Sequence, residues 1–304
     1  MRWNKTLDKS PFAQKKNNGN PNNKFGTMDV IIFIILFLYA AAVIFPFYYA
    51  FVVSVSSETA YMNTPVLFYP KEFTLDAYKL VFSNNQLWSG FGITMILLVV
   101  GTIYQLFFTV ITGYALSRSN WFGKNFVMNM ILVTMFFGGG LVPYYSLIVG
   151  LGLVDSILVM IIPGAIDTFN MLLMRNYFQS LPKELEESAR IDGANDIQIF
   201  LKVYLPLSLP MLATVGLFFA VGNWNSWYNG MLFIDTAWKR PLQLVLREMI
   251  VTSSTSIEGP NSQKAFGEGL VMASIFFTIV PMMCFYPFVQ RFFVKGIVVG
   301  AIKG

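Results

Sequence analysis

The chain has 304 residues, of which 55% are apolar and only 12% are charged, and its formal net charge is +5. One soluble core cannot bury so much apolar surface, so the composition predicts an integral membrane protein, and basic residues spread over loops between apolar runs argue against nucleic-acid binding. Because the sequence contains no His and a single Cys, it excludes imidazole catalysis, Ser/His/Asp triads, intramolecular disulfides and CxxC metal sites, and we predict no metal site.

The first element in chain order is a polar tail, followed by a long apolar run. Residues 1–28 are predicted to be a disordered cytoplasmic tail, because lysines surround an Asn/Gly-rich stretch (NNGNPNN) that is too polar to bury. Val30 to Val55 carry no charge and are long enough to cross about 30 Å of hydrocarbon. A secretory signal would also have a basic lead, but this apolar run continues past Ala42. We therefore predict a first transmembrane helix at about 29–53.

Five further apolar stretches predict an all-α polytopic membrane protein with six transmembrane helices and a permease domain at 29–293. Fifteen Lys and Arg residues lie on the side of the termini and six on the opposite side, so the termini are predicted to be cytoplasmic. A short surface helix is expected around Leu75, Tyr78 and Phe82, and the larger outer loop at 229–267 includes a turn-rich tip. The additional spans are expected at about 90–116, 125–147, 157–178, 204–226 and 268–293, with a cytoplasmic tail at 294–304.

A polar block, PKELEESARIDGANDIQIFLKVYLP, interrupts this apolar pattern at residues 182–206. Pro182 and the glutamates after it favour the first turn of a helix, and Gly193 favours its end. Asn195 and Gln198 have the spacing of a capping box that opens a second helix. The block predicts a helix-turn-helix at 181–203 on the cytoplasmic face, and its second helix has an apolar stripe formed by Ile197, Phe200 and Leu201.

Two separated motifs carry a family resemblance. Glu187-Ser188-Ala189, Gly193 and Val203-Tyr204-Leu205-Pro206 resemble the E-A-A-x3-G-x9-I-x-L-P loop of ABC importer permeases, with Ser188 in place of the first Ala and Val203 in place of the Ile. The stretch LEESARIDGA is similar to the carbohydrate-uptake branch, the MalG-like and LplC-type permeases, and QRFFVKGIVVGAIKG looks like the C-terminal tail of that branch. The six-span pattern agrees with this resemblance from about residue 30 to residue 304.

This resemblance implies a MetI/MalG-like permease fold and a transport function. The chain would be the plasma-membrane permease subunit of an ATP-driven importer of sugars, with oligosaccharides as the expected substrates, and not itself an enzyme. Expected partners are a homologous second permease, two ATP-binding cassette subunits that hold ATP and Mg²⁺, and an extracellular sugar-binding protein; this chain has no P-loop and no cofactor of its own. The implied ATPase-coupling residues are Glu187, Ser188, Ala189, Asp192, Gly193, Phe200 and Pro206, and the implied C-terminal tail contacts are Arg291, Lys295 and Lys303.

Polar residues inside the predicted spans are candidates for the substrate pathway. A charged residue in a span is costly, so Asp167 and the nearby Asn170 either line the pathway or join two spans through hydrogen bonds. In NWNSWYN (223–229), rings and amides alternate as a sugar site would require, although Trp at an interface is equally an anchor. The candidate pathway residues are Asp167, Asn170, Asn223, Trp224, Asn225 and Trp227.

Two other classes of function compete with the ATP-driven permease. An ion-coupled secondary transporter could use Asp167 as its proton or cation site, and uptake would then survive loss of the ATPase. A membrane-embedded transferase acting on a lipid-linked sugar is disfavoured because the sequence has no His and no acidic cluster within its spans. The sequence does not identify the sugar.

Overall fold

The computed structural model describes residues 27–64, 66–118, 122–255 and 267–301, and within these ranges the regular structure is helical, with no strand. The predicted tail at 1–28 lies almost entirely outside the described residues. The chain divides into two units, residues 1–49 and 50–304. Helix α1 covers Thr27–Ser54 and, with 28 residues, is long and apolar enough to cross a membrane, as predicted for the first span.

The second predicted span is a nearly continuous helical run of 33 residues, Asn85–Ser117. A π-helical turn at Leu97–Gly101 interrupts its α-helical pattern. The surface helix predicted from Leu75, Tyr78 and Phe82 is also present, and the Tyr78 hydroxyl lies 3.0 Å from that of Ser54. The helices of this part of the chain are α2 (Glu58–Met62), α3 (Asp76–Ser83), α4 (Asn85–Ile96) and α5 (Thr102–Ser117).

The third and fourth apolar stretches, predicted as spans at about 125–147 and 157–178, are not single straight helices, because each is bent at a break. Helices α6 (Lys124–Phe136) and α7 (Leu141–Gly150) meet at 115°, because three consecutive glycines between them do not hold a helix and Gly140 has φ +83°. The fourth stretch has 3₁₀ turns at Ile157–Met160 and Ile162–Gly164 and then, after a 42° bend, helix α8 (Thr168–Ser180).

The polar block and the fifth apolar stretch form a chain of short helices that leads into a long one. The helical segment Asp196–Leu207 meets the next helix at 77°, and prolines near this bend remove backbone donors. The elements are α9 (Glu184–Ile191), α10 (Asp196–Ile199), a π-helical turn (Phe200–Tyr204), α11 (Leu205–Leu207) and α12 (Leu209–Trp224).

The predicted outer loop at 229–267 contains regular structure that the sequence did not indicate to us. Helix α13 covers Tyr228–Phe233, a 3₁₀ turn covers Ala237–Lys239, and helix α14 covers Leu242–Thr255. Leu242, Val245 and Met249 of α14 are buried in a cluster with residues of α4. Most of the turn-rich tip lies outside the described residues. Helix α15 (Glu268–Ala301) then runs beyond the predicted end of the sixth span at 293.

The core that supports the polar block lies between α5, α8 and α12. Its buried residues include Met174, Phe178 and Phe219, and Ile199 of α10 is completely buried against them. At Gly113 of α5 a side chain would lie 3.1 Å from the Cβ of Met174 on α8, so the two helix backbones approach closely there. The short helices of the polar block therefore pack directly on the core formed by α5, α8 and α12.

Candidate functional site

The two helices expected in the polar block are α9 and α10, and the turn between them has the predicted chemistry. Gly193 has φ +81°, the left-handed conformation that we expected to end the first helix. The capping box is also present: the Asn195 side chain accepts the Gln198 amide at 2.8 Å, and the Gln198 side chain accepts the Asn195 amide at 3.0 Å. Local sequence rules therefore determine the conformation of this turn.

The expected apolar stripe is divided between the core and the surface. Phe200 packs on Tyr114 with 4.6 Å between ring centroids, and the neighbouring Ile199, which we did not include in the stripe, is fully buried. Ile197 and Leu201 are 68% and 52% exposed, and Ile191 of α9 is 86% exposed. The helix pair and the π-helical turn after it together leave three large apolar side chains exposed, which is typical of a protein-binding surface.

The other predicted coupling residues lie around this turn. Ala189 is partly buried against the core beneath α9. Among the residues that the structure describes, Glu187 forms no ion pair, which leaves its carboxylate open to a partner. Exposed positions are occupied by Glu187, Ser188, Asp192, Gly193 and Pro206.

The glutamate that is tied to the rest of the chain is Glu186, which our sequence reasoning did not select. Its carboxylate pairs with Arg118 at the end of α5 and with Arg190, 3.1 Å away on α9, and it accepts the Tyr204 hydroxyl at 3.2 Å. Arg118 in turn donates to the Tyr204 hydroxyl at 2.7 Å, and its guanidinium lies 5.1 Å from the centroid of the Tyr114 ring. The hydrogen bonds that Arg190 donates to Glu186, together with the charge of Asp196, raise the pKa of Arg190. This network fastens α9 to the end of α5.

Three of the candidate pathway residues line one cavity of about 380 Å³, a volume near the lower limit of small-molecule pockets, which is about 300 Å³. They are Asp167, Asn170 and Asn223, which come from the start of α8 and the end of α12. Other residues that we did not select also line the wall, and these include Gln105 of α5, Phe218 and Phe219 of α12, and Ser226 just after α12.

Hydrogen bonds within the cavity wall explain part of its polarity. Asp167 is the N-cap of α8 and accepts the backbone N–H of Asn170 at 2.8 Å, so capping accounts for a carboxylate within this apolar stretch. The Asn223 side chain donates to Thr102 at 3.1 Å and to Gln105 at 2.9 Å, which joins α12 to α5. The side-chain Oδ1 of Asn170 is buried and has no hydrogen-bond partner among the described residues.

The remaining candidate pathway residues do not line this cavity. Trp224 is buried against Phe91, with 6.3 Å between ring centroids, and Asn225 donates to the Val221 carbonyl at 2.9 Å. The Arg247 guanidinium lies over the Trp227 ring, with its central carbon 4.1 Å from the ring centroid. The rings and amides of NWNSWYN therefore do not form one site: Trp224 packs in the core, whereas Asn223 lines the cavity.

A polar cluster fastens the loop after α7 to the segment after α13. Asp155, which has φ +52°, accepts the Thr236 hydroxyl at 2.6 Å and Lys239 Nζ at 2.7 Å. Hydrogen bonds from Lys239 and Thr236 hold the pKa of Asp155 well below its usual value. Because the carboxylate stays ionised in mild acid, this contact persists as the pH falls.

Arg291 and Lys295 belong to helix α15, and Lys303 lies outside the described residues. Within the described ranges no group of three or more His, Cys, Asp or Glu residues is arranged to hold a metal ion.

Comparison with known proteins gives several relatives along nearly the whole chain, although no protein-family model matches it. Protein LplC of Bacillus subtilis (strain 168) is 40% identical over 287 residues, which are 93% of this chain and 97% of the relative. The polygalacturonan/rhamnogalacturonan transport system permease protein YtcP of the same organism is 35% identical, over 91% of this chain and 98% of the relative.

A solved structure has the same fold. A chain in the crystal structure of a bacterial ABC transporter involved in the import of the acidic polysaccharide alginate matches with a TM-score of 0.80 and 33% identity. The match covers 88% of this chain and 96% of the other. Neither this structure nor the two relatives are described as ion-coupled transporters or transferases, so the comparisons do not support those alternatives.

Proposed function

Because this chain belongs to the family of ABC transporter permeases for sugars, we propose that it is the membrane subunit through which an importer passes an oligosaccharide, while a separate ATPase supplies the energy. The chain itself carries out no covalent chemistry. The family relationship extends over nearly its entire length, so the proposal concerns the chain as a whole and not one segment.

The helix pair α9–α10 is the observation that carries the proposal. Ile191 and Ile197 of this pair, and Leu201 of the π-helical turn that follows it, are exposed apolar side chains that need a partner surface. The carboxylate of Glu187, which forms no ion pair with the described residues, offers a charge to that partner. We propose that the ATPase covers this surface and that Glu187 pairs with a basic group at its rim. The Glu186 network would then transmit movement of α9 directly to the end of α5.

In this proposal the chain crosses the plasma membrane six times with both termini in the cytoplasm. Two helical runs, Thr27–Ser54 and Asn85–Ser117, are long and apolar enough to cross it, and three bent pairs raise the number to five if each pair is one span. Helix α15 supplies the sixth crossing. The excess of Lys and Arg on the side of the termini supports this orientation.

The complete importer contains four further kinds of component in this proposal. They are a homologous second permease, two ATPase subunits that bind ATP and Mg²⁺, an extracellular sugar-binding protein and the sugar itself. The cavity at Asp167, Asn170 and Asn223 forms this subunit's part of the pathway. Residues 294–304 contact the ATPase dimer, and cross-linking from a Cys placed at Lys303 would detect that contact.

The proposal is tested by changing Gly193 to Asp in the purified complex. A side chain in the left-handed conformation costs about 1–2 kcal/mol, and the new charge would lie at the ATPase contact. We expect the ATPase to co-purify less well, or to hydrolyse ATP without sugar transport. Retained ATPase and sugar import are measured on the same preparations.

Gly152→Asp is the matched control. Gly152 is also left-handed, with φ +68°, and a Cβ there meets nothing within 4 Å, as at Gly193. The control therefore has the same backbone strain and added charge, but it lies in the loop after α7. If Gly193→Asp retains as much ATPase and transports as well as the wild-type complex, the polar block is not the ATPase contact and the proposed coupling fails.

A further inference from the structure

The cavity at Asp167 has a composition that bears on the charge of the transported sugar. We infer that this cavity accepts an uncharged, hydroxyl-rich sugar ring and excludes a uronate, an inference that rests on the proposed function because it assigns a ligand to the proposed pathway. The fold comparison alone would suggest otherwise, since the similar alginate importer is described as handling an acidic polysaccharide.

The charges in the cavity wall favour a neutral ligand. Asp167 is the only ionisable residue among those that line the cavity, and no Lys or Arg is among them. A carboxylate on the sugar would meet a like charge there, with no guanidinium to bind it in the paired geometry that carboxylates favour. The wall of this subunit therefore opposes an acidic sugar.

The hydrogen-bonding groups of the wall lead to the same conclusion. Asn170 is only 7% exposed, and its side-chain Oδ1 has no hydrogen-bond donor within the part of the chain that the structure describes. One Asp167 oxygen accepts from the Asn170 backbone, while the Asn223 amide nitrogen is already engaged with Thr102 and Gln105. Sugar hydroxyls can donate to such acceptors, whereas an ionised carboxylate can only accept.

The apolar part of the cavity wall suits the C–H face of a sugar ring. Phe218 and Phe219 of α12 contribute to the lining beside the amides. Aromatic rings pack against the apolar C–H face of a pyranose, while the amides face its hydroxyls. The C–H face and the hydroxyls of one neutral ring therefore match both parts of the wall, and neither part needs a carboxylate.

The test is direct sugar binding to the assembled permease–ATPase complex without the extracellular binding protein, so that the binding protein does not impose its own selection. The probes are trisaccharides of glucose, galactose and xylose, compared with trisaccharides of galacturonate and mannuronate. We expect the wild-type complex to bind at least one neutral trisaccharide ten-fold or more tightly than either uronate. A preference for a uronate, equal binding, or no binding of any neutral probe overturns the inference.

Two variants connect the preference to this cavity. Asp167→Asn keeps a capping side chain and removes the charge, so it should reduce the neutral-to-uronate ratio several-fold in a folded complex. Asn170→Leu removes the unpaired acceptor and should weaken binding of the preferred neutral sugar ten-fold or more. Unchanged ratios and affinities in both variants would overturn the assignment to this cavity.

Failure of this inference can be distinguished from failure of the proposed function. The binding ratio is measured without ATP, and ATP-driven import is measured separately on the complete importer with its binding protein. An intact preference with no ATP-driven import would contradict the proposed function, whereas import of uronates together with a uronate preference would contradict this inference alone.

Discussion

Glu186 shows how one side chain can tie a surface helix to the long helices beneath it. Its side chain is 18% exposed and that of its partner Arg118 is 23% exposed, so the pair is largely removed from water. Breaking a fully buried ion pair by removing one partner costs about 3–5 kcal/mol, because the other charge is left uncompensated. Since water reaches part of this pair, we expect a loss near the lower end of that range.

Glu186→Gln should therefore loosen α9 from α5. The change preserves the side-chain size but removes the charge that Arg118 and Arg190 share. We expect a lower thermal midpoint for the purified complex and more ATP hydrolysed per sugar imported, because movement of α9 would no longer be transmitted fully. Both quantities are measured on the same reconstituted preparation.

Glu184→Gln is the control on the same helix. Glu184 is exposed in the first turn of α9, where its charge contributes about 0.3–1 kcal/mol through the helix dipole. Equal effects of the two substitutions would mean that the Glu186 network has no special role. A double variant that combines Glu186→Gln with Arg118→Gln provides a second check. If the two residues are coupled, the stability lost in the double variant should be smaller than the sum of the losses in the two single variants.

Residue-level rules predicted the backbone of the polar block better than its contacts. Gly193 and the Asn195–Gln198 capping box depend on neighbouring residues only, and both are confirmed. One partner of Glu186, Arg118, is distant in the sequence at the end of α5, and no local pattern reveals it. Asp167 could have been recognised as an N-cap, but the apolar residues around it led us to treat it only as a charge inside a span.

At the scale of elements, close contact between α5 and α8 holds the wall that supports both the polar block and the cavity. Gly113 allows this contact, because an added Cβ would lie 3.1 Å from Met174 Cβ and 3.3 Å from the backbone nitrogen of Arg175. Small residues at helix contacts let backbones approach closely in membranes, where packing is a principal force between helices.

Gly113→Leu should separate these two helices. Overpacking a well-packed contact costs about 1–3 kcal/mol, so we expect reduced membrane levels of the folded complex and a lower thermal midpoint. Gly92→Leu is the matched control, because Gly92 lies in the same helical run and a Cβ there meets nothing within 4 Å. If the control reduces stability as much as Gly113→Leu, the contact with α8 is not the cause.

Hydropathy located the apolar stretches but not the breaks within them. The glycines at 138–140 were visible in the sequence, yet the apolar residues on both sides satisfied the length rule for a single span. Helix α14 was not predicted, because it is too short and too polar for a transmembrane span. The burial of its Leu242 and Val245 depends on contacts with residues distant in the sequence. Breaks and packing against other helices depend on tertiary contacts that composition does not encode.

At the scale of the whole molecule, the family relationship and the charge distribution constrain different properties. Relatives that match nearly the full length establish the family and the fold, while the orientation in the membrane depends on basic residues. Fifteen of the 21 Lys and Arg residues lie on the side of the termini in the predicted topology. The polar block can reach an ATPase only if that side is cytoplasmic.

Cysteine accessibility in intact cells tests this orientation. Cys284 is first replaced by Ala, since it is the only native thiol, and single cysteines are then placed at Asn18, Asn63 and Ser254. An impermeant maleimide added from outside should label the cysteines at 63 and 254, which belong to the predicted outer loops, and spare the one at 18 until the cells are permeabilised. Each variant must still support sugar uptake, so that labelling reports the functional orientation. Labelling at 18 with protection at 63 and 254 would invert the topology and place α9 and α10 outside the cell, where no ATPase could bind them.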